Sequence, residues 1–217
     1  MSQNKPASSL PVILLAVVVM AAAFGGGMWL SASHQGDGAV AVEGLLWPDP
    51  PRLAGFHLVD QAGAPLDAEA LRGHWSLLFF GFTHCPDVCP TTLATLARAQ
   101  EQLRRLPAYG SDGRVVFISV DPDRDRPEVI AEYVKYFAPD FVGATASENE
   151  LRAFGRALGV LFMKVEQTDG AYSVDHSAGI FFVSPELDLV SVLTPPFSDT
   201  DIVRRFGAVS EFIEKNG

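Results

Sequence analysis

Cys85 and Cys89 are the only cysteines in the chain, and three residues separate them in the run FTHCPDVCP, residues 82–90. Two thiols at this spacing can close a disulfide, exchange disulfides with a partner, or share a soft metal ion. A structural bridge is the bland reading for a domain outside the cytoplasm. A bridge this local closes a very small loop and adds little stability. Residues four apart on a helix lie on one face, with Cβ atoms about 5–6 Å apart. Pro90 disfavours helical geometry at Cys89, so both cysteines are expected in a loop that feeds a helix. In either geometry the sulfurs converge, and a helix N-terminus favours thiolates, the form that attacks disulfides and binds metals. Two thiolates leave a metal site incomplete. Of the five histidines, His34, His57 and His74 fall in linker, strand and turn segments, and His84 should point away from its neighbour Cys85. His176, in the run VDHSAGI, directly precedes an apolar strand and is the candidate third ligand.

The elements that must position these groups are legible along the chain. Residues 75–82 (WSLLFFGF) are almost wholly apolar and read as a central strand buried on both faces, with the cysteines just beyond its end. Residues 91–105 carry Leu93, Leu96, Ala99 and Leu103 at helical intervals. A second buried strand over 115–120 runs into the loop 121–125 (DPDRD), and Pro127 opens a helix to Phe137. A short strand over 141–144 and a helix over 148–158 follow. Residues 161–167 and 171–174 alternate around Asp169-Gly170 as a hairpin, and 180–183 pairs with 189–193 beyond Pro185-Glu186. Residues 199–215 close the chain as an amphipathic helix. This order predicts an α/β, thioredoxin-like fold with a central mixed sheet flanked by helices. In such a fold the segment bearing His176 passes over the cysteine turn. Two sulfurs and an imidazole suit copper, as Cu(I) or Cu(II). Asp175 is either a group that orients the imidazole or a plain turn carboxylate.

The chain holds 26 acidic and 16 basic residues, a formal charge of −10. Every acid follows Ser33, so the folded part is strongly acidic and nucleic acid is excluded as a partner. Leu10–Leu30 carries no charge and as a helix spans ~31 Å, about the hydrocarbon thickness of a bilayer. Lys5 precedes it and the next base is Arg52, so residues 1–9 are expected in the cytoplasm and the domain on the far side. The competing reading is a cleaved leader, but the apolar run exceeds the usual signal core of about 7–15 residues. The expected organisation is therefore 1–9 cytoplasmic, 10–30 a single transmembrane anchor, 31–51 a flexible linker and 52–217 the thioredoxin-like domain.

Three segments together, GFTHCPDVCP (81–90), VDPDRD (120–125) and VDHS (174–177), resemble the hallmark segments of the Sco/SenC family. The resemblance covers roughly residues 53–212. It implies a copper protein of the periplasm or intermembrane space and fits delivery of copper, reduction of a target's cysteines or redox sensing; the expectation here is a copper metallochaperone held on the bacterial inner membrane with its domain in the periplasm. Its implied task is maturation of the dinuclear copper site of cytochrome c oxidase, with subunit II or its assembly factors as partners. By motif position the family's copper ligands fall on Cys85, Cys89 and His176, and its loop aspartates on Asp121 and Asp125.

The principal rival is a thiol–disulfide oxidoreductase that keeps the cysteines of a copper-receiving protein reduced, with Cys85 and Cys89 as its redox pair. Exchangers of this fold usually carry two residues between the cysteines and a proline opposite them. Here three residues intervene, and the matching strand entry is Ser177-Ala178-Gly179. A peroxiredoxin-type peroxidase needs Thr or Ser three residues before its reactive cysteine. Phe82 and Pro86 occupy those places, which removes that reading. A purely structural interaction domain leaves the three convergent ligands unexplained.

Overall fold

The computed structural model describes residues 19–20, 44–46, 48–167 and 170–216. The expected anchor Leu10–Leu30, apart from Val19 and Met20, lies outside the described residues, as do most of the expected linker and the turn residue Asp169. Among the described residues no helix is long and apolar enough to cross a membrane. The folded unit comprises residues 42–217.

Its centre is β3 (Ser76–Gly81), all six residues of which are buried. β3 pairs in parallel with β4 (Arg114–Ser119), and β4 in parallel with β5 (Val142–Thr145). On the far side of β5 lies β1 (His57–Asp60), antiparallel to it and to β2 (Pro65–Asp67). On the other side of β3, β8 (Ile180–Val183) and β9 (Leu189–Leu193) continue the sheet antiparallel. The seven strands run β2-β1-β5-β4-β3-β8-β9. Helices cover both faces of the sheet at β3, so its side chains meet protein above and below, which is why the run is continuously apolar. Phe79 and Phe80 are fully buried, each contributing ~1.5–3 kcal/mol relative to exposure. They point to opposite faces. Phe80 meets Phe154 of α4 (Glu148–Ala157), whereas Phe79 meets Phe117. The Phe79 face also receives α2 (Val88–Leu103), α3 (Pro127–Phe137) and α5 (Asp199–Asn216): α2 packs on α3 and α5, and Phe206 of α5 meets Trp75 edge-on. α1 (Ala68–Leu71) is a single turn capped by the Asp67 side chain. The result is the predicted mixed sheet with helices on both faces.

Two details depart from the sequence expectation. α2 begins at Val88 rather than Thr91, so Cys89 and Pro90 lie in its first turn. The first backbone N–H groups of a helix have no intrahelical partner, so Pro90 removes no bond there. The hairpin β6 (Phe162–Glu166) and β7 (Tyr172–His176) forms at the expected place, yet it makes a separate two-stranded sheet.

Candidate metal centre

The loop after β3 delivers the first cysteine and the phase of α2 delivers the second. Gly81 ends β3, a turn closes as the Cys85 N–H donates to the Phe82 carbonyl (3.2 Å), and Asp87 stands at the N-cap of α2. Cys85 is therefore half-buried on a loop. Cys89 shares the buried stripe of α2 with Leu93, Leu96 and Leu103, which turns its sulfur inward and leaves it fully buried. Gly81 makes room for it. A Cβ at position 81 would lie 2.9 Å from the Cys89 sulfur and 2.8 Å from Phe117.

His176 is the last residue of β7, paired across the hairpin with buried Phe162. Its Nε2 is 3.7 Å from the Cys89 sulfur, and its Nδ1 is 3.1 Å from the Ser177 carbonyl oxygen. A carbonyl only accepts, so Nδ1 carries the proton and donates, and Nε2 keeps its lone pair towards the sulfur. Metal-binding histidines commonly have this arrangement, one nitrogen tied back and the other free to coordinate. The edges of Phe79 and Phe82 hold the ring, at centroid distances of 6.4 and 6.0 Å. Burial lowers the His176 pKa, partly offset by the Ser177 carbonyl and by Asp175, so the imidazole is neutral at pH 7. Burial likewise pushes the Cys89 thiol well above its usual range, with a partial offset from a hydrogen bond to the Phe82 backbone. A neutral imidazole nitrogen thus faces the buried Cys89 thiol.

Cys85 lies beside Cys89 at the start of α2. Its sulfur accepts from the Cys89 N–H at 3.4 Å, and both cysteines are free. Among the described residues no group of three or more Cys, His, Asp and Glu is gathered closely enough to hold a metal as it stands. Cys89 and His176 already touch, and Cys85 is the more exposed of the two cysteines. The donor set itself, two sulfurs and one imidazole nitrogen, fits copper in either oxidation state.

The remaining sequence candidates make other contacts. Asp175 is exposed on β7 and makes no hydrogen bond to the imidazole, whose orienting partner is the Ser177 carbonyl. Asp125 is fully buried and accepts from the Thr83 N–H (2.8 Å), the Thr83 hydroxyl (2.6 Å) and the Ser119 hydroxyl (2.5 Å). It anchors the cysteine loop to β4. Asp121, also fully buried, accepts from Arg124 and Tyr172. His84 turns towards Thr83 (3.1 Å) and Asp125 rather than towards the sulfurs. Thr83, Ser119, Arg124, Tyr172 and Ser177 were not singled out from the sequence. Thr83, Arg124 and Ser177 lie inside the three quoted runs, which is the signal they offered; Ser119 and Tyr172 lie outside them.

A family model described as SCO1/SenC matches residues 49–210. The chain is 42% identical over 135 residues to the mitochondrial protein SCO1 homolog 1 of Arabidopsis thaliana, covering 62% of this chain and 40% of that relative's length. It is 35% identical over 212 residues to the mitochondrial protein SCO2 homolog of Danio rerio, covering 93% of this chain and 76% of that one. Among solved structures, Arabidopsis thaliana ScoI with copper bound superposes with a TM-score of 0.67 at 36% identity, covering 75% of this chain and 99% of that one.

Proposed function

The chain belongs to the SCO1/SenC family, and on that premise we propose that it is a copper metallochaperone whose cargo is held by Cys85, Cys89 and His176. The single observation that carries this is the contact between the Cys89 sulfur and His176 Nε2, with Nδ1 tied back to a carbonyl. Copper, when bound, replaces the thiol protons. The family resemblance supports delivery to the dinuclear copper site of cytochrome c oxidase, with subunit II or its assembly factors as recipients. The uncharged run Leu10–Leu30 supports a single-pass anchor in a bacterial inner membrane with the domain in the periplasm.

Reduction of a recipient's thiols by the same cysteines is the second reading. The half-exposed Cys85 favours it, because a nucleophile must reach its target. The imidazole held against the buried Cys89 sulfur favours metal binding instead.

His176→Ala separates the two. For copper handling it removes the only nitrogen donor: the Cu(II) charge-transfer absorption of the reduced protein weakens or disappears, Cu(I) stays on two sulfurs with lower affinity, and oxidase assembly in cells fails. For thiol exchange, disulfide reductase turnover and in-cell function stay near normal. An unchanged Cu(II) spectrum with normal oxidase activity overturns the copper site.

A further inference from the structure

Asp121 and Arg124 belong to neither the cysteines nor the imidazole, yet they join the body of the domain to the hairpin that carries His176. Arg124 Nε donates to Asp121 Oδ2 at 2.5 Å, and its Nη1 donates to the Tyr172 carbonyl at 3.0 Å. The guanidinium lies 3.8 Å from the centroid of the Tyr172 ring, within cation–π range. The Tyr172 hydroxyl closes the loop by donating to Asp121 Oδ1 at 2.8 Å. Outside this triad, Lys164 of β6 reaches Asp123 of the same loop at 2.5 Å.

These ties matter because β6 and β7 share no ladder with the seven-stranded sheet. Backbone pairing sets the register of β7 against β6, but not the placement of the pair against the cysteines. Tyr172 stands four residues before His176 on a strand, about 13 Å away at ~3.3 Å per residue. A shift of the hairpin by an ångström carries the imidazole with it. The same short loop holds the other half of the site through Asp125 and Thr83, two residues before Cys85. One rigid segment thus fixes both the sulfur-bearing loop and the imidazole-bearing strand.

We propose that Asp121, Arg124 and Tyr172 are positioning residues, a clamp that sets where the hairpin presents the His176 imidazole to the cysteine sulfurs. The proposal rests on the copper reading above. It makes the nitrogen ligand, and so Cu(II) retention, dependent on groups that touch no metal. Outer partners of metal ligands typically change affinity about 10–100-fold when removed.

The test compares reduced full-length protein with Arg124→Ala and with Tyr172→Phe, which deletes one hydroxyl and is the safer variant for folding. Arg124→Ala is expected to weaken Cu(II) about 10–100-fold and to erase nitrogen hyperfine coupling in the Cu(II) paramagnetic resonance spectrum. Tyr172→Phe should act in the same direction and less strongly. Cu(I), held by two sulfurs, should change no more than about threefold in either. Without any metal, amide hydrogen exchange over residues 172–176 should quicken while residues 77–80 stay as slow as in the parent. Retained nitrogen coupling and Cu(II) affinity in Arg124→Ala overturn the clamp, as does equal weakening of Cu(I) and Cu(II) with faster exchange throughout β3. Absence of nitrogen coupling in the parent protein overturns the copper reading instead, and the exchange measurement then judges the clamp alone: unchanged hairpin exchange refutes it.

Discussion

Replacing Asp125 tests how the cysteine loop is held. Its carboxylate is fully buried and receives three donors, the Thr83 N–H, the Thr83 hydroxyl and the Ser119 hydroxyl. Asp125→Ala orphans all three. The Thr83 hydroxyl is partly exposed and can turn to water, so the loss falls mainly on the other two. Hydrogen bonds to a charged acceptor are each worth ~1.5–3 kcal/mol, and unsatisfied buried donors cost a similar amount. The expected destabilisation is therefore about 4 kcal/mol. For a domain of this size 1 kcal/mol shifts the melting temperature by roughly 2–4 °C, so Asp125→Ala should melt about 8–16 °C early. Asp125→Asn behaves differently. Its amide oxygen can still accept from Thr83 N–H and Ser119, and its NH2 can donate to the Thr83 hydroxyl, so only the charge assistance is lost. About 1 kcal/mol, or roughly 2–4 °C, is expected. Thermal unfolding of the reduced protein, followed by circular dichroism, reads both. Alkylation at 25 °C should also show Cys85 reacting faster in Asp125→Ala, because Thr83 no longer anchors its loop. An alanine variant within 2 °C of the parent, or an asparagine variant as damaged as alanine, refutes the donor accounting.

A disulfide between Cys85 and Cys89 consumes both of the proposed thiolate ligands, so the oxidised protein should lose tight copper binding and regain it on reduction; equal metal retention in both states places the metal elsewhere. In the reduced folded protein, iodoacetamide should modify half-exposed Cys85 well before fully buried Cys89, as read by mass spectrometry of the two peptides. Equal rates would contradict the inward phase of α2. The full-length chain should sediment with membranes and resist carbonate extraction, and a reporter fused after Gly217 should be active only outside the cytoplasm. A soluble form beginning near residue 32 would overturn the anchor while leaving export intact.

Much of the scaffold is legible because its signals are local. The unbroken apolar runs of β3 and β4, the stripe Leu93, Leu96, Leu103 and the alternation over 161–174 each announce their element within a few residues. The start of α2 was misplaced by three residues because Pro90 reads as a boundary, whereas in a first turn it displaces no bond. The partners of the site are another matter. Asp125 meets Thr83 across 42 positions and Asp121 meets Tyr172 across 51. Nothing in the spacing of those residues reports such a contact. The carbonyl of Ser177 is equally silent, since every residue carries one; Asp175, with a conspicuous carboxylate, drew attention that geometry gives to its neighbour's backbone.

The position of the cysteines relative to β3 has a consequence for how such a domain changes over generations. Six buried residues of that strand, braced by β4 and β8, supply cohesion, while Cys85 and its exposed neighbours Pro86 and Asp87 lie in the loop beyond its end, outside the sheet. Exchanging those loop residues alters what the domain can bind without asking the sheet to refold. Chemistry and architecture can therefore drift separately at this loop.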